Sequence, residues 1–158
     1  LSGAAIEERL TALLQELPAL RADLDSPEPG LVVIGRRDVR SNNSWMHNLP
    51  TLAKGPERCT LMMHRGDAAA RGLRDGQMVQ VRSSSGCVQA PLQITDSLRR
   101  GVVSLPHGWG HDQPGSGMTL AALRPGANLN ALLDDGVLDR PSGNAVLAGV
   151  PVEVTASK

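Results

Sequence analysis

The chain has no Tyr and no Phe, and only two Trp in 158 residues. A core without those rings has to be filled by Val, Leu, Ile, Met and Ala. Net charge is also missing, because sixteen basic residues balance sixteen acidic ones. That balance argues against binding nucleic acid or an anionic membrane by general attraction. No apolar run approaches the roughly 20 residues that cross a bilayer. Cysteine is scarce, with only Cys59 and Cys87 and no CxxC pair, which argues against a cysteine metal site. Both lie in strand-like runs and read as buried thiols, with a disulfide as the alternative. There is no GxGxxG and no Walker phosphate loop. No Glu follows His107, so the HExxH zinc signature is absent as well. The length suits one domain with a real core, and the 17 Gly and 11 Pro call for many turns and several loops.

The organising stretch is Gly35 to Asn48, GRRDVRSNNSWMHN. It follows Leu31-Val32-Val33-Ile34, which reads as a buried strand. The stretch holds three arginines, the adjacent Asn42 and Asn43, a further Asn48, two serines, Trp45 and His47. Guanidinium forks suit phosphate oxygens. Asn amides set a donor beside an acceptor, as reading a heterocycle edge requires. One reading is a loop wrapped around a ligand that carries phosphate and a ring. The other is a solvated loop anchored by its Trp.

Upstream, Ile6, Leu10, Leu13, Leu14, Leu17 and Leu20 have helical spacing, and Pro18 is expected to kink or split that helix. It is expected to pack outside the domain or to belong with a neighbouring one, with 26–30 (SPEPG) as a linker. Downstream, Cys59 to Met63 reads as a strand. Asp67 is placed as the N-cap of a short helix that Gly72 ends. Residues 78–95 read as a hairpin with Val88, Ala90, Leu92 and Ile94 on one side. Gly101 to Leu105, Ala145 to Ala148 and Val152 to Thr155 read as further strands, and Leu129 to Asp135 as a helical turn. About seven short strands with few helices favour a mainly β, closed barrel with helical inserts.

Two more loops carry polar side chains. In 106–111 (PHGWGH), the proline and glycines break the helix that a metal-binding spacing of His107 and His111 would need. The stretch reads instead as a turn whose glycines let backbone N–H groups approach a ligand. Trp109 would then face the same cavity as Trp45, unless both simply cap the barrel. Asn128, Asn130 and Asn144 add amides further on, and such residues are also common in plain turns. Asp134, Asp135 and Asp139 read as a solvated acidic turn.

The order of these pieces carries a resemblance. GR…RSNNSW.HN is followed by C.L..H..DA...GL.DG..V.V.S..G.V, then TD....GVVSLPHGWGH, then N.N.L.D…D..SGNA…G.PV.V. Over Leu31 to Val154 it resembles the C-terminal dinucleotide-binding domain of molybdopterin oxidoreductases, the dimethyl-sulfoxide-reductase superfamily, formate dehydrogenases and nitrate reductases included. One departure is local: Arg65-Gly66 stand where the family commonly has a proline.

The resemblance implies a six-stranded double-psi β-barrel over 31–158, preceded by a helical segment and linker over 1–30. It implies molybdopterin guanine dinucleotide as cofactor, with molybdenum or tungsten held by other domains. The residues it places along the cofactor are Arg40, Ser41, Asn42, Asn43, Ser44 and Trp45, then His107, Gly108 and Trp109, then Asn130 and Asn144. No catalytic residue and no metal ligand are expected here, so the isolated domain should be catalytically silent. Its partners would be the remaining domains of a parent oxidoreductase and an electron-transfer subunit, in the cytoplasm, with no nucleic acid or membrane involved. The start at Leu1 without Met reads as an excised fragment. The alternative is a free-standing double-psi barrel that binds a protein or a small ligand.

Overall fold

The computed structural model describes residues 3–24, 30–139 and 142–157. Its elements run in the order α1 (Gly3–Leu24), β1 (Leu31–Arg36), α2 (Pro50–Ala53), β2 (Leu61–His64), α3 (Arg65–Ala70), β3 (Met78–Arg82), β4 (Cys87–Thr95), β5 (Val102–Pro106) and β6 (Val150–Ala156). The strands close into one barrel in the order β1-β5-β2-β4-β3-β6. Two neighbouring pairs, β1 with β5 and β2 with β4, are parallel, and the other pairings are antiparallel. Each parallel pair needs a long crossover, and the loops and short helices supply it. This is the six-stranded double-psi arrangement that the resemblance implied.

Alternation builds the core. Val79 and Val81 point inward from β3 while Met78 and Arg82 face out. On β4, Ala90 and Leu92 are buried, with Val88 and Ile94 packed against the core beside them. Leu61, Met63, Val103, Leu105, Leu129 and Leu132 complete an aliphatic interior, as the missing Phe and Tyr require.

Several elements differ from the sequence expectation. Ala145 to Ala148 is not a barrel strand. Ala145 forms a single bridge to Leu138, and Val146 N–H donates to the Val137 carbonyl, so the segment pairs locally. Asp67 is not an N-cap. It lies within α3, fully buried, and its carboxylate accepts from Arg100 Nε at 3.1 Å and from Gly101 N–H at 2.8 Å. The cap is His64, whose Nδ1 accepts from Gly66 N–H. Pro18 lies inside one unbroken helical element, α1. The apolar stripe of α1 is not buried on the barrel: Ile6, Leu10, Leu13, Leu14 and Leu17 are all exposed. The described part of the 26–30 linker is Gly30 alone. Both thiols are free, but only Cys59 is buried, while Cys87 faces solvent at the edge of the β3–β4 turn.

Candidate functional site

The strand registers bring the polar loops to one end of the barrel. β1 and β5 run parallel with Arg36 opposite Pro106, so the chain leaves both strands at the same end, into 37–49 and into 107–120. β6 is antiparallel to β1, with Val150 opposite Val33, so the segment entering β6 arrives from that end too. That segment carries Asn144. The turn between β3 and β4 lies at this end as well, and Gly86 there touches the Ala131 carbonyl of the 3-10 turn Leu129–Leu132. The first loop, the 107–109 turn and the turn carrying Asn130 therefore share one pole, and the segment carrying Asn144 leads into β6 from that end.

At that pole, Gly108 (φ +86°) lies against the Asn43–Ser44 peptide so closely that a Cβ would overlap the Asn43 carbonyl. Only glycine meets both demands, a left-handed backbone and no side chain. Asn42 and Asn43 also lie in the left-handed region, at φ 42° and 61°. Asn is the residue most ready to adopt it after Gly. This left-handed pair turns the loop, and both Asn side chains stay exposed. The His107 ring lies over Gly35, and His107 N–H donates to the Arg36 carbonyl at 3.0 Å. Burial, and then the Arg37 guanidinium, hold His107 below the ordinary imidazole range. It is therefore neutral at pH 7 and can both donate and accept.

The other candidates fall into distinct roles. Ser41 is buried, and its hydroxyl donates to the Asp38 carbonyl at 3.0 Å, holding the loop from within. Arg40 folds back, with its guanidinium on the Thr51 carbonyl at 3.1 Å. Arg36, the first guanidinium of the stretch, points inward to the carbonyls of Ser104, Arg58 and Thr60 and is structural. Arg37 is exposed, makes no hydrogen bond or ion pair among the described residues, and its charge acts on His107. Sequence reasoning left it out of the candidates, although alternation along the end of β1 already sets it opposite Arg36. The Asn42, Asn43, Asn130 and Asn144 amides and the Ser44 hydroxyl likewise keep their hydrogen bonds open among the described residues. Asn130 sits on the 3-10 turn capped by Asn128, whose Cβ closes on Gly110. Asn144 lies on its own loop, where its N–H donates to the Ser142 hydroxyl, with no described contact to the other candidates.

The two Trp do not share a cavity. Trp45 is 79% exposed, whereas Trp109 packs against the core and against His47, with ring centroids 4.1 Å apart. Trp109 and His47 line a cavity of about 300 Å³ behind the loop, together with Arg40, Met46, Leu120 and Arg124. His47 Nδ1 lies 2.5 Å from His111 Nε2, and both rings are buried. His111 thus pairs with a residue of the first loop and not with His107. No group of three or more His, Cys, Asp or Glu able to hold a metal occurs among the described residues.

At this pole of the barrel stand amides and a guanidinium that make no hydrogen bond among the described residues, together with the neutral imidazole of His107. Residues 31–150 match the molydopterin dinucleotide binding domain, and the chain belongs to that family, which is found in molybdopterin oxidoreductases of the dimethyl-sulfoxide-reductase superfamily. Its cofactor is the molybdopterin guanine dinucleotide that the resemblance implied. Among similar proteins, trimethylamine-N-oxide reductase of Haemophilus influenzae is 32% identical over 112 residues, which cover 65% of this chain and 14% of that protein. Dimethyl sulfoxide/trimethylamine N-oxide reductase of Rhodobacter capsulatus is 37% identical over 59 residues, 37% of this chain and 7% of that protein. Acetylene hydratase from Pelobacter acetylenicus superposes with a TM-score of 0.68 at 22% identity, over 81% of this chain and 18% of that one, and shares the fold. The chain therefore spans about a seventh of the first relative's length. None of the described helices is long and apolar enough to cross a membrane.

Proposed function

We propose that this chain closes over the dinucleotide of a molybdenum- or tungsten-dependent oxidoreductase and fixes its orientation through the loop pole. The observation that carries this is the set of hydrogen-bonding groups left open around the Gly108–Asn43 contact. The donor set fits the cofactor. Arg37 offers a guanidinium to a pyrophosphate, and the Asn42, Asn43, Asn130 and Asn144 amides offer paired donor and acceptor to a guanine or pterin edge. His107, neutral at pH 7, can serve either kind of atom. Ser41, Arg40 and Gly108 hold the loop shape that presents them. When bound, the group supplies the redox-active metal centre, and the protein adjusts it through orientation and hydrogen bonds. The metal ligand and any iron–sulfur cysteines lie outside this chain, whose two cysteines cannot hold a cluster.

The parent enzyme's type belongs to the proposal too. The sequence points to formate dehydrogenases and nitrate reductases, while the similar curated proteins are named as N-oxide, sulfoxide and tetrathionate reductases. Assays of the parent with formate, nitrate, trimethylamine N-oxide and dimethyl sulfoxide separate these types. An electron-transfer subunit is part of the same proposal, as is a cytoplasmic location, with which the two free cysteines agree.

The test is Asn43→Ala and His107→Ala in the parent enzyme. Both should lower bound metal, by mass spectrometry, and pterin, by fluorescence after oxidation. The melting temperature should fall by only a few degrees, about 1–2 kcal/mol, from the left-handed backbone at Asn43 and the lost packing of half-buried His107. Full metal and full pterin in both variants would overturn the assignment of the pole.

A further inference from the structure

The loops at the pole are fastened together from behind. His47 and His111 are both at least nine-tenths buried, and they face each other across 2.5 Å. The His47 ring also packs against Trp109 at a tilt of 39° and meets His111 edge-on at 4.7 Å. His47 is four residues from Asn43, and His111 is three from Gly108. Asn43 and Gly108 are the two points where the loops touch at the front. We propose that the His47–His111 hydrogen bond is a proton-sensitive latch that sets the spacing of the two cofactor-facing loops, with both histidines as positioning residues. This rests on the functional reading above for what the loops hold, but not for the latch itself.

The chemistry of the pair dictates the direction. Two imidazoles have four ring nitrogens, and an N–H···N bond needs one of them bare and facing its partner. Two neutral rings satisfy this, and so does a pair carrying one extra proton. With two extra protons every nitrogen bears hydrogen, the bridging atoms repel, and the bond is lost. Burial and the facing His111 both push His47 below the ordinary value of 6.5, so it resists the second proton. The charged groups around it are Asp38, which favours that proton, and Arg58, which opposes it. Arg40, Lys54, Glu57 and Arg124 line the cavity beside its ring. The latch is therefore closed at neutral pH and opens in acid, below the ordinary imidazole range. Among the described residues, His47 Nε2 and Trp109 Nε1 are buried without a hydrogen-bond partner.

The test uses the parent enzyme. Hydrogen–deuterium exchange at 41–48 and 106–111, corrected for the intrinsic pH dependence, should rise between pH 7 and pH 4.5, while the barrel strands stay protected. His47→Gln and His111→Gln should each raise exchange in both loops at pH 7 and flatten the pH step. The double variant should do no more than either single one, because the pair acts as a unit. Pterin release after dilution should follow, faster by roughly three- to tenfold in the variants at pH 7, as expected for one lost buried hydrogen bond. Exchange in the wild type that shows no step, or single variants that disturb only their own loop, would overturn the latch. A clear exchange step in a parent without pterin would keep the latch and refute the cofactor reading. Circular dichroism at each pH identifies a variant that has simply unfolded, and the wild-type profile decides the matter without any variant.

Discussion

At Gly108 two independent demands fall on one residue, and substitutions can separate them. Gly72 is also left-handed, at φ +64°, but a Cβ there would meet open space. Gly72→Ala should therefore carry only the conformational cost, about 1 kcal/mol. Gly108→Ala adds the overlap with the Asn43 carbonyl and should cost about 2–4 kcal/mol in urea unfolding. Equal costs would mean that the contact yields freely. The cysteines make a similar contrast. Burial, with Glu57 adding to it, raises the Cys59 thiol to about 11, and its sulfur is tied to Ala127. Cys87 is exposed. An alkylating reagent at pH 7.5 should label Cys87 alone in the native chain and both cysteines in denaturant, because the thiolate is the reactive form. The sequence showed both cysteines in strand-like runs, but not which one faced inward.

Among the elements, α3 shows how a local rule is overridden. A lone Asp before three alanines has the signature of a cap, yet the helix and its cap lie three residues earlier and Asp67 turns into the interior. It does so because the chain returns 33 residues later and offers Arg100 and the Gly101 N–H. That encounter is invisible in a local window. Asp67→Ala would strand the buried Gly101 N–H and release one bond of a half-exposed Arg100, at a cost of about 2–3 kcal/mol. Asp67→Asn, which keeps the shape, should cost less. If the two cost the same, the carboxylate's charge and its second acceptor oxygen, not the side chain's shape, are what stabilise the site. Helix α1 is the opposite case. Its apolar spacing was legible and the helix is present, but its stripe is not buried on the barrel. Replacing Leu10 and Leu14 by Gln should therefore leave the melting temperature of this chain within about 2 °C, as for solvent-facing positions.

For the molecule as a whole, the pole exists because β1 and β5 are parallel. A register in which they ran antiparallel would send 37–49 and 107–111 to opposite ends. Stability should depend on pH through the same pole. His47 and His107 are both held below the ordinary imidazole value, chiefly by burial. In the unfolded chain they take up protons near 6.5, while in the folded chain they resist until lower pH. Their contribution is complete above about pH 6.5 and is lost as pH falls from there toward the folded values. Thermal melts should accordingly show a drop between pH 7.5 and pH 5, and His47→Gln should reduce the drop. A melting temperature equal at both pH values would contradict this.

The sequence alone settled much, because alternation, turn residues and helical spacing are local. It was enough to read the β1 strand, the β3–β4 hairpin, the aliphatic core, the glycine turns and a loop too rich in guanidinium and amide groups to be a plain connection. The ordered set of motifs was also enough to indicate the family. Only the tertiary structure decided which of these groups remain open. Arg36 and Arg37 are adjacent and chemically alike, yet one is spent on carbonyls inside the barrel and the other is exposed, with no hydrogen bond among the described residues. Ser41 turns inward while Asn42 and Asn43 face out. His47 finds its partner 64 residues away, across a parallel strand pair. These outcomes depend on register and long-range contact, which join residues that no sequence window contains together.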